Sequence, residues 1–299
     1  MTDQTKVLSY GAVLWDIIEG KEYIGGAPFN VAAHLAKLGC ASSMVTRVGS
    51  DRLGDAALDV MKRLGVDTTF AQVDAVHPTG TAEVSLTGNG IPTFYLPPDS
   101  AYNFIEADDQ LLSQLNHTGF DVICFGTLEQ RGETSRNSLY KILDLVHTEH
   151  VFYDVNIRLD YYPEDVLRRS FEFSTIVKIN EDECGLIAQR LYGKNFSEVE
   201  MVERLRVDFA VQVVCVTKGG DGCTVHAGGE SRSYPVEPVT VVDTVGSGDA
   251  FSGAFLNHYC RTEDPFESAC LGNKLGSYVA SQRGAIPEYS EEIKRQLML

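Results

Sequence analysis

In Asp243-Thr-Val-Gly-Ser-Gly-Asp249 a carboxylate stands at the head of a glycine turn. The β-branched run Val239-Thr-Val-Val242 precedes the motif and the apolar stretch Ala250-Phe-Ser-Gly-Ala-Phe-Leu256 follows it, a pattern that predicts strand, turn and helix. Gly246 and Gly248 let the backbone come close to a ligand. Unpaired N–H groups at a helix start, helped by the macrodipole, form an anion site, here built from Gly246, Ser247 and Gly248. A carboxylate in such a site repels phosphate, but it has a use if it takes the proton from a hydroxyl attacking that phosphate. Asp249 is therefore the candidate general base of a phosphoryl transfer. Taken locally, the same residues also fit a helix cap and a plain turn.

Other constellations belong to the same chemistry. Gly25-Gly26-Ala-Pro-Phe-Asn30 enters a helix with paired glycines and an amide, which suits a small polyol; Asn30 also fits an N-cap. Asp16 follows the first predicted strand, at the carboxyl edge where open α/β sheets bind ligands, and can grip two sugar hydroxyls or be solvated. Arg158, in Asp154-Val-Asn156-Ile-Arg158, brings a guanidinium to another strand end for phosphate or sugar. Asn180 and Glu183 lie three residues apart at a helix start, fit to orient water on Mg²⁺ and phosphates or to close a capping box. Thr217-Lys218-Gly219-Gly-Asp-Gly222 fits a phosphate cradle, a hairpin turn, or both.

The positioning elements follow from the hydrophobic pattern. Apolar runs at 6–13, 41–48, 121–125, 150–155, 176–179 and 212–217 predict strands. Helical patterns at 30–38, 55–64, 136–147 and 197–206 alternate with them. This predicts a three-layer α/β/α fold with a mainly parallel central sheet, in one domain over 1–299. A β-hairpin around Gly88-Asn-Gly90 and a strand-like piece from Trp15 to Ile24 interrupt the alternation. Together they predict a small β-sheet lid, inserted from about 15–26 and 79–103, with apolar surface suited to homodimer formation.

Composition excludes other classes. The 299 residues carry a net charge of −17 with no basic stripe, which argues against nucleic acid. No apolar run is long enough to span a bilayer, so no membrane is expected. No secretory leader precedes the first strand, and seven scattered cysteines include no C-x-x-C pair; a cytoplasmic protein with reduced thiols is expected. There is no G-x-x-x-x-G-K-[ST], and the first strand lacks G-x-G-x-x-G, which weakens a nicotinamide oxidoreductase.

In order and over nearly the whole chain, these segments resemble the ribokinase-like (PfkB) family of carbohydrate kinases. GGAPFNVAAHLAKLG resembles its first motif and DTVGSGDAFSGAF its highly specific second. Asn180-x-x-Glu183 and Thr217-Lys-Gly-Gly-Asp-Gly222 fit its magnesium-phosphate and nucleotide motifs, and Asn273-Lys-Leu-Gly-Ser-Tyr-Val-Ala280 with Gly284 its adenine side. The resemblance implies ATP and Mg²⁺ as cofactors, a small sugar as partner, and Asp249 as base before an anion hole of Gly246, Ser247 and Gly248. Asp16, Gly25, Gly26, Asn30 and Glu129 would then bind sugar, joined by Arg158. Asn180, Thr217, Lys218, Gly219, Gly222, Gly248 and Asn273 would bind ATP, with Glu183 holding Mg²⁺ through water. Many members hold a monovalent cation, and Asp243, Val245 and Gly284 would place K⁺ here. Phe-Gly-Thr-Leu, Asp-Val-Asn-Ile-Arg and Pro92-Thr-Phe-Tyr resemble the fructokinase-type branch. The chain departs from the family with Val245 where threonine is common and Lys218 where leucine is common. Ribose, 2-keto-3-deoxygluconate and nucleosides are the alternative acceptors, and a non-catalytic sugar-binding regulator is the alternative of another class.

Overall fold

The computed structural model describes residues 4–86, 92–158 and 161–298. Its large sheet has nine strands: β1 (Lys6–Tyr10), β4 (Ala41–Gly49), β5 (Ala71–Asp74), β8 (Val122–Phe125), β9 (His150–Asp154), β10 (Ile176–Asn180), β11 (Val213–Thr217), β12 (Cys223–Ala227) and β13 (Glu230–Tyr234). The order across the sheet is β13-β12-β11-β10-β9-β8-β1-β4-β5. Pairing is parallel from β11 to β5, and β12 and β13 close one edge as an antiparallel hairpin.

Alternation along each strand builds two cores. In β8, Ile123 and Phe125 face one apolar cluster, while Val122 and Cys124 face another. The first side is covered by α3 (Asp109–Thr118), α4 (Glu133–Leu145), α5 (Glu164–Phe173), α6 (Glu181–Tyr192) and α7 (Glu198–Phe209), through residues such as Leu112, Leu139, Leu167, Ile187 and Met201. The second is covered by α1 (Ala27–Lys37), α8 (Ser247–Thr262) and α9 (Pro265–Ala280), through Leu35, Phe255 and Ala269. Helices on both faces make the predicted three layers. A further helix, α2 (Arg52–Arg63), packs on the end of β4, and α10 (Glu291–Gln296) on α9.

The second sheet is separate and has four strands: β2 (Leu14–Ile18), β3 (Lys21–Gly25), β6 (Gly80–Leu86) and β7 (Pro92–Tyr95), in the order β3-β2-β6-β7. The expected single piece over 15–24 is a tight hairpin, with Glu19 and Gly20 at positive φ in its turn. β6 and β7 pair antiparallel as expected, and the predicted turn at 88–90 lies outside the described residues. Trp15 Nε1 donates to Leu53 O at 3.0 Å, tying this sheet to α2.

One strand expectation is overturned. Val239 to Val242 pair with no strand and run exposed before α8; only Val242 and Asp243 are anchored, their N–H groups donating to Ala280 O at 2.8 and 3.2 Å. A β-branched run forms a strand only where a neighbouring edge can receive its N–H and C=O groups.

Candidate active site

The glycine turn and Asp249 come together at the start of α8. Gly246 is the N-cap, with φ 78°, and a Cβ on it would lie 2.6 Å from Ala285 Cα. Left-handed backbone and close packing both require glycine. Among the described residues no acceptor pairs with the amides of Gly248 and Asp249, and the buried Ser247 Oγ has no partner. The turn therefore offers free donors at the positive end of a sixteen-residue helix.

Asp249 is held from the far end of the chain. Asn30, buried in the first turn of α1, donates Nδ2–H to Asp249 Oδ2 at 2.7 Å. Asn30 is not the N-cap: α1 begins at Ala27, and Gly26 fills that place with φ 109°. A Cβ on Gly26 would strike Ala12 O. The Asn30 Oδ1 atom is buried without a partner among the described residues, as an amide turned toward a ligand would be. Burial raises the pKa of Asp249 to about 6; the Asp154 charge adds to this, and Asn30, Lys178 and Arg158 oppose it.

A cavity runs under the small sheet between the two sheets. Asp16, Gly26, Glu129, Asp154, Asn156 and Arg158 line it together with apolar Leu14 and Leu96. Asp16 does not follow the first strand of the large sheet; it lies within β2, so a strand of the small sheet carries it over the cavity. A Cβ on Gly25 would lie 2.7 Å from Asp16 Oδ2, so a larger residue would displace the carboxylate. Glu129 sits in a turn of 3₁₀ helix, and its Oε1 accepts from Gly126 N at 2.6 Å. Burial raises its pKa to about 7. Arg158 meets no carboxylate within ion-pair distance among the described residues. Asn30 and Asp249 do not line the cavity themselves. Asn30 adjoins it through Gly26, whose carbonyl accepts from Asn30 N at 2.8 Å, and the charge of the lining residue Asp154 acts on Asp249.

On the opposite flank, Asn180 and Glu183 form a complete capping box on α6. Both Glu183 oxygens are engaged, Oε2 by Asn180 N at 2.8 Å and Oε1 by Ile157 N at 2.7 Å. Glu183 is buried, and burial raises its pKa. Thr217 to Gly222 is the β11–β12 hairpin with Gly219 and Gly222 at positive φ. Lys218 does not project freely: its Nζ contacts Glu198 Oε2 and Thr224 Oγ1, each at 2.7 Å. Asn273 on α9 donates to Tyr234 O at 2.9 Å and lines a cleft with Val236, Val239 and Tyr278. The cation candidates also meet: Asp243 Oδ1 accepts from Val245 N at 3.0 Å and Oδ2 from Gly284 N at 3.3 Å. Among the described residues no group of three or more His, Cys, Asp or Glu forms a metal cluster.

Two charged residues at the centre carried no assigned role in the sequence. Asp154 and Lys178 are buried side by side on β9 and β10, with Lys178 Nζ 2.8 Å from both carboxylate oxygens. A lysine inside the apolar run Ile176-Val-Lys-Ile179 was the signal, since a charge on a doubly covered strand needs a buried partner.

A three-layer α/β body, a four-stranded accessory sheet and a carboxylate beside free helix amides define a small-molecule kinase scaffold. The chain belongs to the pfkB family carbohydrate kinases, which it matches over residues 4–292. It is 28% identical to a fructokinase of Klebsiella pneumoniae over 91% of each chain, and 30% identical to one of Escherichia coli over 80% of this chain and 77% of that one. It superposes on fructokinase from Vibrio cholerae in fructose-, ADP- and calcium-bound form with a TM-score of 0.79 at 25% identity over 95% of each chain. Its fold also matches aminoimidazole riboside kinase from Salmonella enterica, with a TM-score of 0.80 at 21% identity, covering 98% of this chain and all of that one. No helix among the described residues is long and apolar enough to cross a membrane.

Proposed function

We propose that this sugar kinase transfers the γ-phosphate of ATP to a hydroxyl of fructose. One observation carries the chemistry: Asp249, oriented by Asn30 at 2.7 Å, stands beside the unpaired amides of its own helix start. The choice of fructose rests on the fructokinase relatives.

The sugar lies under the small sheet, gripped by Asp16 from above, by Asn30 Oδ1 from α1, and by Glu129. The small sheet acts as a lid that excludes water. Asp249 Oδ1, which no described residue engages, takes the hydroxyl proton as the sugar oxygen attacks the γ-phosphorus. The amides of Gly248 and Asp249 stabilise the equatorial oxygens and ADP leaves. The β11–β12 hairpin and Asn273 hold the nucleotide. Mg²⁺, when bound, would neutralise phosphate charge, and Glu183 and Asn180 would hold its water. K⁺ fits beside Asp243, Val245 and Gly284, where one carboxylate already draws two loop amides together. Ile18, Tyr23 and Tyr95 are exposed on the small sheet, and a second copy pairs there. The free cysteines suit a cytoplasmic enzyme.

ADP release from ATP-Mg²⁺ with fructose, ribose, 2-keto-3-deoxygluconate and adenosine, with and without K⁺, tests this reading. Fructose should give the highest kcat/KM. Preference for 2-keto-3-deoxygluconate would instead assign Arg158 to a substrate carboxylate, the second reading, which its guanidinium supports by having no carboxylate partner among the described residues.

A further inference from the structure

Lys178 and Asp154 occupy paired positions on the parallel strands β10 and β9, so both side chains leave the same face of the sheet. That face is covered by α8. Asp154 Oδ2 receives Ser252 Oγ–H at 3.1 Å, and the same hydroxyl lies 3.0 Å from Gly248 O, one turn back on α8. A Cβ on Gly248 would be 3.4 Å from Lys178 Nζ, so the ammonium rests against the glycine turn itself. Buried ion pairs cost desolvation, and apolar residues of similar size usually serve stability as well or better. The position of this pair, between the sheet and the anion-binding turn, offers a reason for its presence.

We propose that Lys178, held by Asp154, whose carboxylate Ser252 also engages, is a positioning residue for phosphoryl transfer: its fixed ammonium sets the Gly246–Asp249 turn on the sheet and favours the ionised base. The inference rests on the sugar-kinase reading above. Lys178 has two of its three N–H groups committed to Asp154. Burial pulls its pKa down, but the carboxylates of Asp154, Asp249 and Glu183 together outweigh this and leave it above the ordinary lysine value, so the charge persists. The groups facing Asp249 are Asn30 on α1, Asp154 on β9, Arg158 after β9 and Lys178 on β10, with Glu183 of α6 acting on Lys178. Within 4 Å of a Cβ placed on Gly248, the nearest heavy atoms are those of Lys178.

The test is steady-state kinetics of the full chain carrying Lys178→Met, with ATP-Mg²⁺ and the wild type's best sugar, across pH. We expect kcat to fall by about 10²-fold, as for a misplaced reacting group. Both KM values should stay within about threefold, since the loss concerns the transition state. The acidic limb of kcat/KM should move to higher pH. A raised KM for ATP with kcat kept would make Lys178 a phosphate ligand and overturn the proposal; lost turnover with an unmoved limb would make the pair structural and overturn it as well. Where Lys178→Met does not fold, the double variant Asp154→Asn, Lys178→Met leaves no lone buried charge, and full turnover in it overturns the proposal. If the wild type phosphorylates no sugar, the kinase reading fails separately. The ¹³Cγ titration of Asp249 then decides: a higher midpoint in Lys178→Met supports the proposal and an equal one overturns it.

Discussion

Asn30 Nδ2 lies 2.7 Å from Asp249 Oδ2, although 219 residues separate them in the chain. The contact joins the first turn of α1 to the first turn of α8, so one helix start fixes the carboxylate of the other. It leaves Oδ1 of each residue without a described partner.

Asp249→Asn keeps the shape and the Asn30 contact but cannot take a proton. Turnover should fall by at least about 10²-fold, since a positioned base contributes about 10²–10⁴. ADP release, with circular dichroism to show the fold intact, checks this. Near-normal turnover would remove Asp249 from the base role.

Stability and activity should respond to pH with opposite signs at this residue. The folded-state pKa of Asp249, about 6, lies above the ordinary 3.8, so between these values the folded protein holds a proton the unfolded chain has released. The stabilisation is present below that window and is lost as pH rises through it. Catalysis needs the ionised form and is gained over the same rise. Asp249→Asn should therefore melt above wild type at pH 7.5, with the difference vanishing near pH 4. Scanning calorimetry at both values would show it; equal melting temperatures at pH 7.5 would contradict it.

Asn30→Ala removes a hydrogen bond to a charged group, worth about 1.5–3 kcal/mol. Because that bond lowers the pKa of Asp249, its loss should push the acidic limb of kcat/KM upward. The KM for sugar should rise by about tenfold or more as Oδ1 is lost too. An unchanged sugar KM would place the ligand elsewhere.

Gly246→Ala meets both a positive φ and Ala285 Cα at 2.6 Å. Backbone strain of this kind costs about 1–3 kcal/mol, and the amides it aims should lose their geometry. A lowered melting temperature with strongly reduced kcat is expected. Full activity would show that the turn tolerates a side chain.

The local parts of the site were legible. Glycine spacing identified the turn, and the alternation of apolar runs identified the parallel sheet, because backbone freedom and one-sided burial leave direct marks on residue order. The capping box at Asn180 and Glu183 and the hairpin at Thr217 to Gly222 were among the stated alternatives, and the structure has both. The strand expected at 239–242 failed because strand propensity says nothing about whether an edge is available. The Lys218–Glu198 pair could not be read locally, because a countercharge twenty residues away in sequence leaves no local trace.

By itself, then, the sequence determined the scaffold and its family, the turn before α8, and which residue types stood ready for phosphate and polyol. Tertiary structure decided which of them meet: Asn30 with Asp249, Asp154 with Lys178 and Ser252, Asp243 with Gly284. The division is physical. Periodicity and glycine placement are constraints on neighbours along the chain. A hydrogen bond between α1 and α8, or an ion pair between two strands, is set by how the helices seat on the sheet, and that seating is a property of the whole packed core.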